Sequence, residues 1–190
     1  MITIMIELET KWQHSLQLLS SQPAKFIKKF SREEWLIQSG LVGEEHVRLF
    51  AKYLRQGKKI IPVKVESIDW NKAEQKTAQV VSGYVKRHPG EKILLVMGNL
   101  HIRKYPFILN KAGKKKKFIP LGFYLKRIAA TVRIRYVCGE IYNFRTLAIK
   151  DKSAIRHKNA SLQPSRSRYF DWDYTFSKTR PITLLGVKSL

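Results

Sequence analysis

The sequence holds one cysteine, Cys138, which excludes an intramolecular disulfide and any zinc site built from several thiolates. That usage is compatible with a reducing compartment. No stretch reaches the roughly 18 consecutive apolar residues that would cross a bilayer. The opening MITIMIELETKW has no basic leader and carries Glu7 and Glu9 inside its apolar run, so neither a signal peptide nor an anchor is expected there. The expectation is a cytoplasmic protein; a natural start upstream of Met1 would reopen export. Acidic residues are also scarce, 14 against 37 Lys and Arg, for a formal net charge of +23, where a small soluble domain usually carries a magnitude of about 2 to 8. The scarcity is uneven: residues 92–190 hold 4 acids against 22 basic side chains, and residues 92–139 hold 12 Lys and Arg and no acid. So one-sided a field favours phosphate, an anionic surface or an acidic partner.

What is present is enough apolar material for one well-buried core: 190 residues, 44% hydrophobic, with four Trp, eight Tyr and nine Phe. The run ITIMIEL is β-branched and apolar on both parities, as a strand covered on both faces should be, and is read as a central strand. Ser31 and Glu34 match a capping box with Gly40 as the stop. In EEHVRLFAKYLRQG, the i, i+3, i+4, i+7 spacing of Val47, Phe50, Ala51 and Leu54 predicts a helix closed by Gly57. KKIIPVKVES follows as a strand whose Pro62 loses a ladder donor and points to an edge or bulge. From Asp69 as N-cap, a long helix is expected to bury Ala73, Thr77, Val80, Val81 and Tyr84, and EKILLVMGN is the next strand. Strands alternating with helices predict an α/β fold, a mainly parallel sheet with flanking helices in a single domain. Residues 1–150 are read as the core, residues 151–168 as a basic flexible loop, and residues 169–190 as a segment that regains aromatics and docks on the core. FILNKAGKKKKFIP reads as a lysine-tipped hairpin, and TVRIRYVCG as a further strand.

The chemistry concentrates in ILLVMGNLHIRKYP. In a parallel sheet, ligands sit beyond the carboxyl ends of the strands, and His101 falls three residues after Gly98, where a strand should stop. A neutral imidazole there suits either a metal ligand or a general base, with Gly98 letting the backbone turn closely beneath it.

These residues, with the helix before them and TVRIRYVCGEIYNF after them, resemble the haem-binding-uptake/Tiki superfamily, which contains ChaN-like, TraB-like and erythromycin-esterase-like proteins. FSREEWLIQSGLVGEEHVRLFAKYLRQGKKIIPVKVES and FDWDYTFSKTRPIT continue the likeness over nearly the whole chain, with Gly98-Asn99-Leu100-His101 its most specific piece. The resemblance implies a metal-dependent hydrolase in which His101 ligates a divalent metal or acts as base, Glu7 is its acidic partner, and Asn99, Arg103 or Lys104 holds the substrate. It also implies that the family's first strand and motif lie before residue 1, leaving an incomplete site and an exposed sheet edge through which the chain could form a homodimer. The ChaN-like branch implies haem, for which His101, Tyr105 and Tyr136 are the axial candidates. The alternative is nonspecific binding of nucleic acid or another polyanion through Lys114, Lys115, Lys116, Lys117, Arg133 and Arg135, although no helix-turn-helix, RRM or zinc-finger signature accompanies them.

Overall fold

The computed structural model describes residues 2–22, 24–26, 44–111, 113–136, 140–143, 148–151 and 160–176. The chain divides into two compact units, one of residues 1–11, 61–135 and 161–175, the other of residues 12–60, 136–160 and 176–190. The first contains the candidate site.

Its heart is a three-stranded sheet of β1 (Ile2–Glu9), β2 (Lys59–Lys64) and β3 (Lys92–Val96) in the order β2-β1-β3, with β1 and β3 parallel and Ile2 opposite Lys92. As the β-branched run predicts, β1 is central: Thr3, Ile4, Met5, Ile6 and Leu8 are buried. Pro62 accordingly falls on an edge strand, where a missing N–H costs no ladder bond. The 18-residue helix Trp70–Arg87 starts on Asp69, whose Oδ1 accepts from the Asn71 and Lys72 N–H groups. Its core contact is Ala78 and Val81 against Met5 and Val63, joined by Leu121 and Leu125 of the short helix Leu121–Leu125. The buried face of the long helix is turned one position from the apolar pattern: Glu74, Thr77, Ala78 and Val81 are inside, while Val80 is exposed. Thr77 spends its hydroxyl on the Val65 N–H at 3.0 Å, closing the end of β2.

FILNKAGKKKKFIP forms the expected lysine-tipped hairpin, with Lys111 opposite Lys114 at the turn and the lysines continuing along the returning strand. Strand β4 (Phe107–Lys111) pairs antiparallel with β5 (Lys114–Phe118), and Gly113, at φ +77°, takes the turn. The strand β6 (Val132–Tyr136), foreseen as a strand, lies in a separate sheet of order β6-β10-β9 with β9 (Ser161–Pro164) and β10 (Trp172–Phe176). The flexible-loop expectation for residues 151–168 therefore needs correction at Ser161–Pro164, which pairs antiparallel with β10. Side-chain staples explain the order: Asp173, 2% exposed, takes a bidentate pair from Arg133 at 2.8 and 2.7 Å and a bond from Ser165.

The second unit contains α1 (Gln13–Gln17), the helix α2 (Glu44–Arg55) and the hairpin of β7 (Glu140–Asn143) with β8 (Ala148–Asp151). Helix α2 buries Val47, Phe50 and Ala51, as its spacing predicts. The capping box at Ser31 and Glu34, Cys138, and residues 177–190 of the expected docking segment lie outside the described residues. In chain order Trp70–Arg87 is α3 and Leu121–Leu125 is α4. Among the described residues no helix is long and apolar enough to cross a membrane.

Candidate functional site

Parallel β1 and β3 end side by side, which brings Glu7 of β1 against the turn that follows β3. Glu7 Oε2 accepts from the Gly98 N–H at 2.6 Å, and its Oε1 lies 3.3 Å from His101 Nε2. Gly98 is where the two meet: a Cβ there would come within 3.3 Å of Glu7 Oε2 and 3.4 Å of His101 Cδ2. The His101 N–H closes the turn on the Gly98 carbonyl at 2.9 Å. Sequence reasoning thus pairs two residues that the structure does bring together.

The group it missed is Glu74. From the buried face of α3, Glu74 Oε1 faces His101 Nδ1 at 2.7 Å, and Oε2 accepts from the Leu121 N–H at 2.8 Å. A carboxylate only accepts, so Nδ1 carries the proton and Nε2 is left on the side of Glu7. The next N–H, from Gly122, reaches the His101 carbonyl at 2.8 Å. Successive N–H groups at the start of α4 therefore hold the carboxylate and the histidine backbone together. Lys64 Nζ stands 3.9 Å from Glu7 Oε1. Burial pulls the imidazole pKa down, but the hydrogen bond to Glu74 and the charges of Glu7 and Glu74 outweigh burial and the opposing Lys64, so the pKa is raised above that of an ordinary histidine.

The other expected residues are placed as follows. Asn99 donates to the Ile134 carbonyl at 3.2 Å. Lys104 Nζ is paired with Asp171 at 2.6 Å, and Asp171 also holds the Thr131 N–H and hydroxyl. Arg133 is paired with Asp173, and the Arg135 side chain lies outside the described residues. Arg103 differs from both. Its guanidinium carbon lies 4.2 Å over the Phe107 ring and 5.1 Å over Tyr169, and its buried Nε has no hydrogen-bond partner among the described residues. Lys114, Lys115, Lys116 and Lys117 are all exposed.

The donor set can be tested against the groups the resemblance implies. A catalytic zinc takes three protein ligands. Here one carboxylate oxygen and one imidazole nitrogen face each other beside an ammonium, and among the described residues no group of three or more His, Cys, Asp or Glu side chains is arranged to hold a metal ion. These residues do not fit a catalytic metal. Nor does His101 fit an axial haem ligand, since both ring nitrogens face carboxylates. Tyr105 is exposed beneath Lys126, and the Tyr136 side chain lies outside the described residues.

A mutant form of the erythromycin esterase EreC, solved in its open conformation, aligns with 99% of this chain and 85% of its own, at TM-score 0.59 and 11% identity. The fold is erythromycin-esterase-like. No known family's sequence profile matches the chain, and no curated protein matches it. Within this fold, Glu7, Glu74 and His101 form a cluster of titratable groups at the carboxyl end of the sheet.

Proposed function

We propose that the chain is a hydrolase that cleaves an ester-type bond in a small anionic substrate, with His101 as general base toward water. The 2.7 Å contact between Glu74 and His101 Nδ1 carries the reading. It fixes the tautomer that keeps Nε2 as the working nitrogen, and the carboxylate stabilises the imidazolium formed when water gives up its proton. Glu7, beside Nε2, would orient that water. The esterase-like fold supports the reaction class by analogy. Arg103 is the residue assigned to the substrate's anionic group, because among the described residues no carboxylate pairs with its guanidinium as Asp171 does with Lys104. The exposure of all four β5 lysines favours polyanion binding as a second reading. Pairing of two copies through a sheet edge belongs to the same proposal: among the described residues β3 is the last strand of its sheet, with Leu94 and Val96 exposed.

The test is hydrolysis of short p-nitrophenyl esters with and without a carboxylate on the acyl group. His101→Gln is expected to lower kcat by about 10²- to 10⁴-fold; unchanged turnover would sink the assignment. The base must be unprotonated to act, so kcat/KM is expected to rise with pH through a midpoint above that of a free histidine. Stability runs the other way. A raised folded pKa contributes stability that is complete below the ordinary value of about 6.5 and is lost as pH rises through the folded value. Urea unfolding across this window should show that fall in the wild type and not in His101→Gln.

Arg103→Met keeps the contact with Phe107 and Tyr169 while removing the charge. Its expected effect is a KM for the carboxylated ester raised about tenfold at unchanged kcat, the mark of binding lost equally from ground and transition state. The uncharged ester should not notice the change, and equal losses for both esters would assign Arg103 to structure alone.

A further inference from the structure

We propose a second ligand site, distinct from His101, that takes a small amphiphilic anion: an apolar body carrying a carboxylate or phosphate. A cavity of about 180 Å³ lies between the first turn of α3 and the β4–β5 hairpin. Its apolar lining is Ile68 and Trp70 on one side and Leu109 and Phe118 on the other. Trp70 is 47% exposed although its ring meets Phe118 edge to face at 6.3 Å, so part of a large apolar side chain is held at the mouth of the cavity within reach of solvent. Covering such surface is favourable for any ligand with an apolar body.

Lys116 supplies the charge: it lies opposite Leu109 on the face of the hairpin that carries Phe118, whereas the Lys117 side chain alternates to the other face and Lys117 meets α3 through its carbonyl. No described carboxylate forms an ion pair with Lys116. Asp69, the acid preceding Trp70, caps α3; the Lys72 and Asn71 N–H groups hold its carboxyl pKa down, and the charge of Lys116 does so too, so an arriving anion shares that ammonium with Asp69. The cavity therefore offers one ammonium group beside an apolar lining, a group that a neutral apolar molecule leaves unused and that a bare inorganic anion meets only at the edge of the cavity.

The walls are also braced. The Asn71 side chain donates to the Lys117 carbonyl at 3.1 Å and accepts from the Ile119 N–H at 2.9 Å, fastening the hairpin to the helix. A cavity whose walls are fixed before binding loses little freedom when it is filled. The proposal stands on this geometry and is independent of the chemistry at His101.

The test is calorimetric titration of the full chain, at constant ionic strength, with phenyl phosphate, benzoate, benzamide and inorganic phosphate. Saturable one-to-one binding of phenyl phosphate or benzoate is expected, at least about tenfold tighter than benzamide or inorganic phosphate; the two aromatic anions against each other tell which head group is preferred. Trp70→Ala and Lys116→Gln should each weaken the anions by about tenfold, and His101→Gln should leave them unchanged. Equal binding of benzamide, indifference to both pocket variants, or loss of binding in His101→Gln would overturn the proposal. The last result would move the anion to the other site without touching the hydrolase reading, which is judged on turnover.

Discussion

Replacing Glu74 with alanine is expected to lower the unfolding free energy by roughly 3–5 kcal/mol and to abolish ester cleavage. The carboxylate is 7% exposed and serves two partners, the His101 imidazole on one oxygen and the Leu121 N–H on the other. Leu121 is fully buried, so its N–H finds no water when the acceptor goes. An imidazolium that loses this partner is left half-buried with Glu7 alone. Both costs are of the kind that single substitutions rarely reach. Glu74→Gln separates them, since one amide oxygen can accept from Leu121 or from His101 but not from both. A loss of about 1–3 kcal/mol is expected for it, with cleavage reduced more than stability. Urea unfolding near pH 6 checks both variants, and an alanine variant within about 1 kcal/mol of wild type would mean that the carboxylate is not the joint described here.

Gly122→Ala is expected to cost about 3 kcal/mol and to lower turnover although residue 122 touches no substrate. A Cβ at 122 would stand closer to the Ile102 carbonyl oxygen than van der Waals contact allows, 2.6 Å from the Ile102 carbonyl carbon and 2.7 Å from the Arg103 oxygen. All are backbone atoms and cannot swing away as a side chain would. Relief has to come from moving α4 off the segment that carries His101 and Arg103, which stretches the 2.8 Å bond between the Gly122 N–H and the His101 carbonyl. Gly113→Ala is the internal comparison. Position 113 has open space but a φ of +77°, so its cost is conformational and close to 1 kcal/mol. Thermal unfolding of the pair should rank them in that order, and equal shifts would argue that the contact at 122 is relieved at no cost.

The pairing of Glu7 with His101 is implied by the resemblance, and the parallel strands, whose carboxyl ends lie together, are the physical reason the two meet. Glu74 is not legible. The apolar pattern of α3 selects a face centred on Ala73 and Val80, and a carboxylate beside that face reads as solvated. Its burial depends on two partners, 27 and 47 residues away in sequence. The signal available was the Asp69 cap, which fixes where the helix starts, yet the face it turns inward is settled by what packs against it. The same limit explains the C-terminal sheet. Asp171 and Asp173 find Thr131 and Arg133 forty residues upstream, a pairing no local periodicity carries. Composition was the poorer guide where it predicted loop: Ser161–Pro164 forms a strand because β10 and its side chains supply the partners.

Asn71 and Glu74 lie one turn apart on α3, and each accepts a backbone N–H from the same short stretch, Asn71 from Ile119 and Glu74 from Leu121. A body fixed at one point can still pivot; fixed at two, it has an orientation. The stretch from 119 to 121 is thus pinned to the helix at two points, and the second pin is the carboxylate that also steers the imidazole. Remove the amide at 71 and the stretch would hang from Glu74 alone, so that any tilt it acquired would pass through that carboxylate to the ring of His101. The aim of the imidazole is in this sense set five residues before Glu74, where the Asp69 side chain decides the turn on which α3 begins.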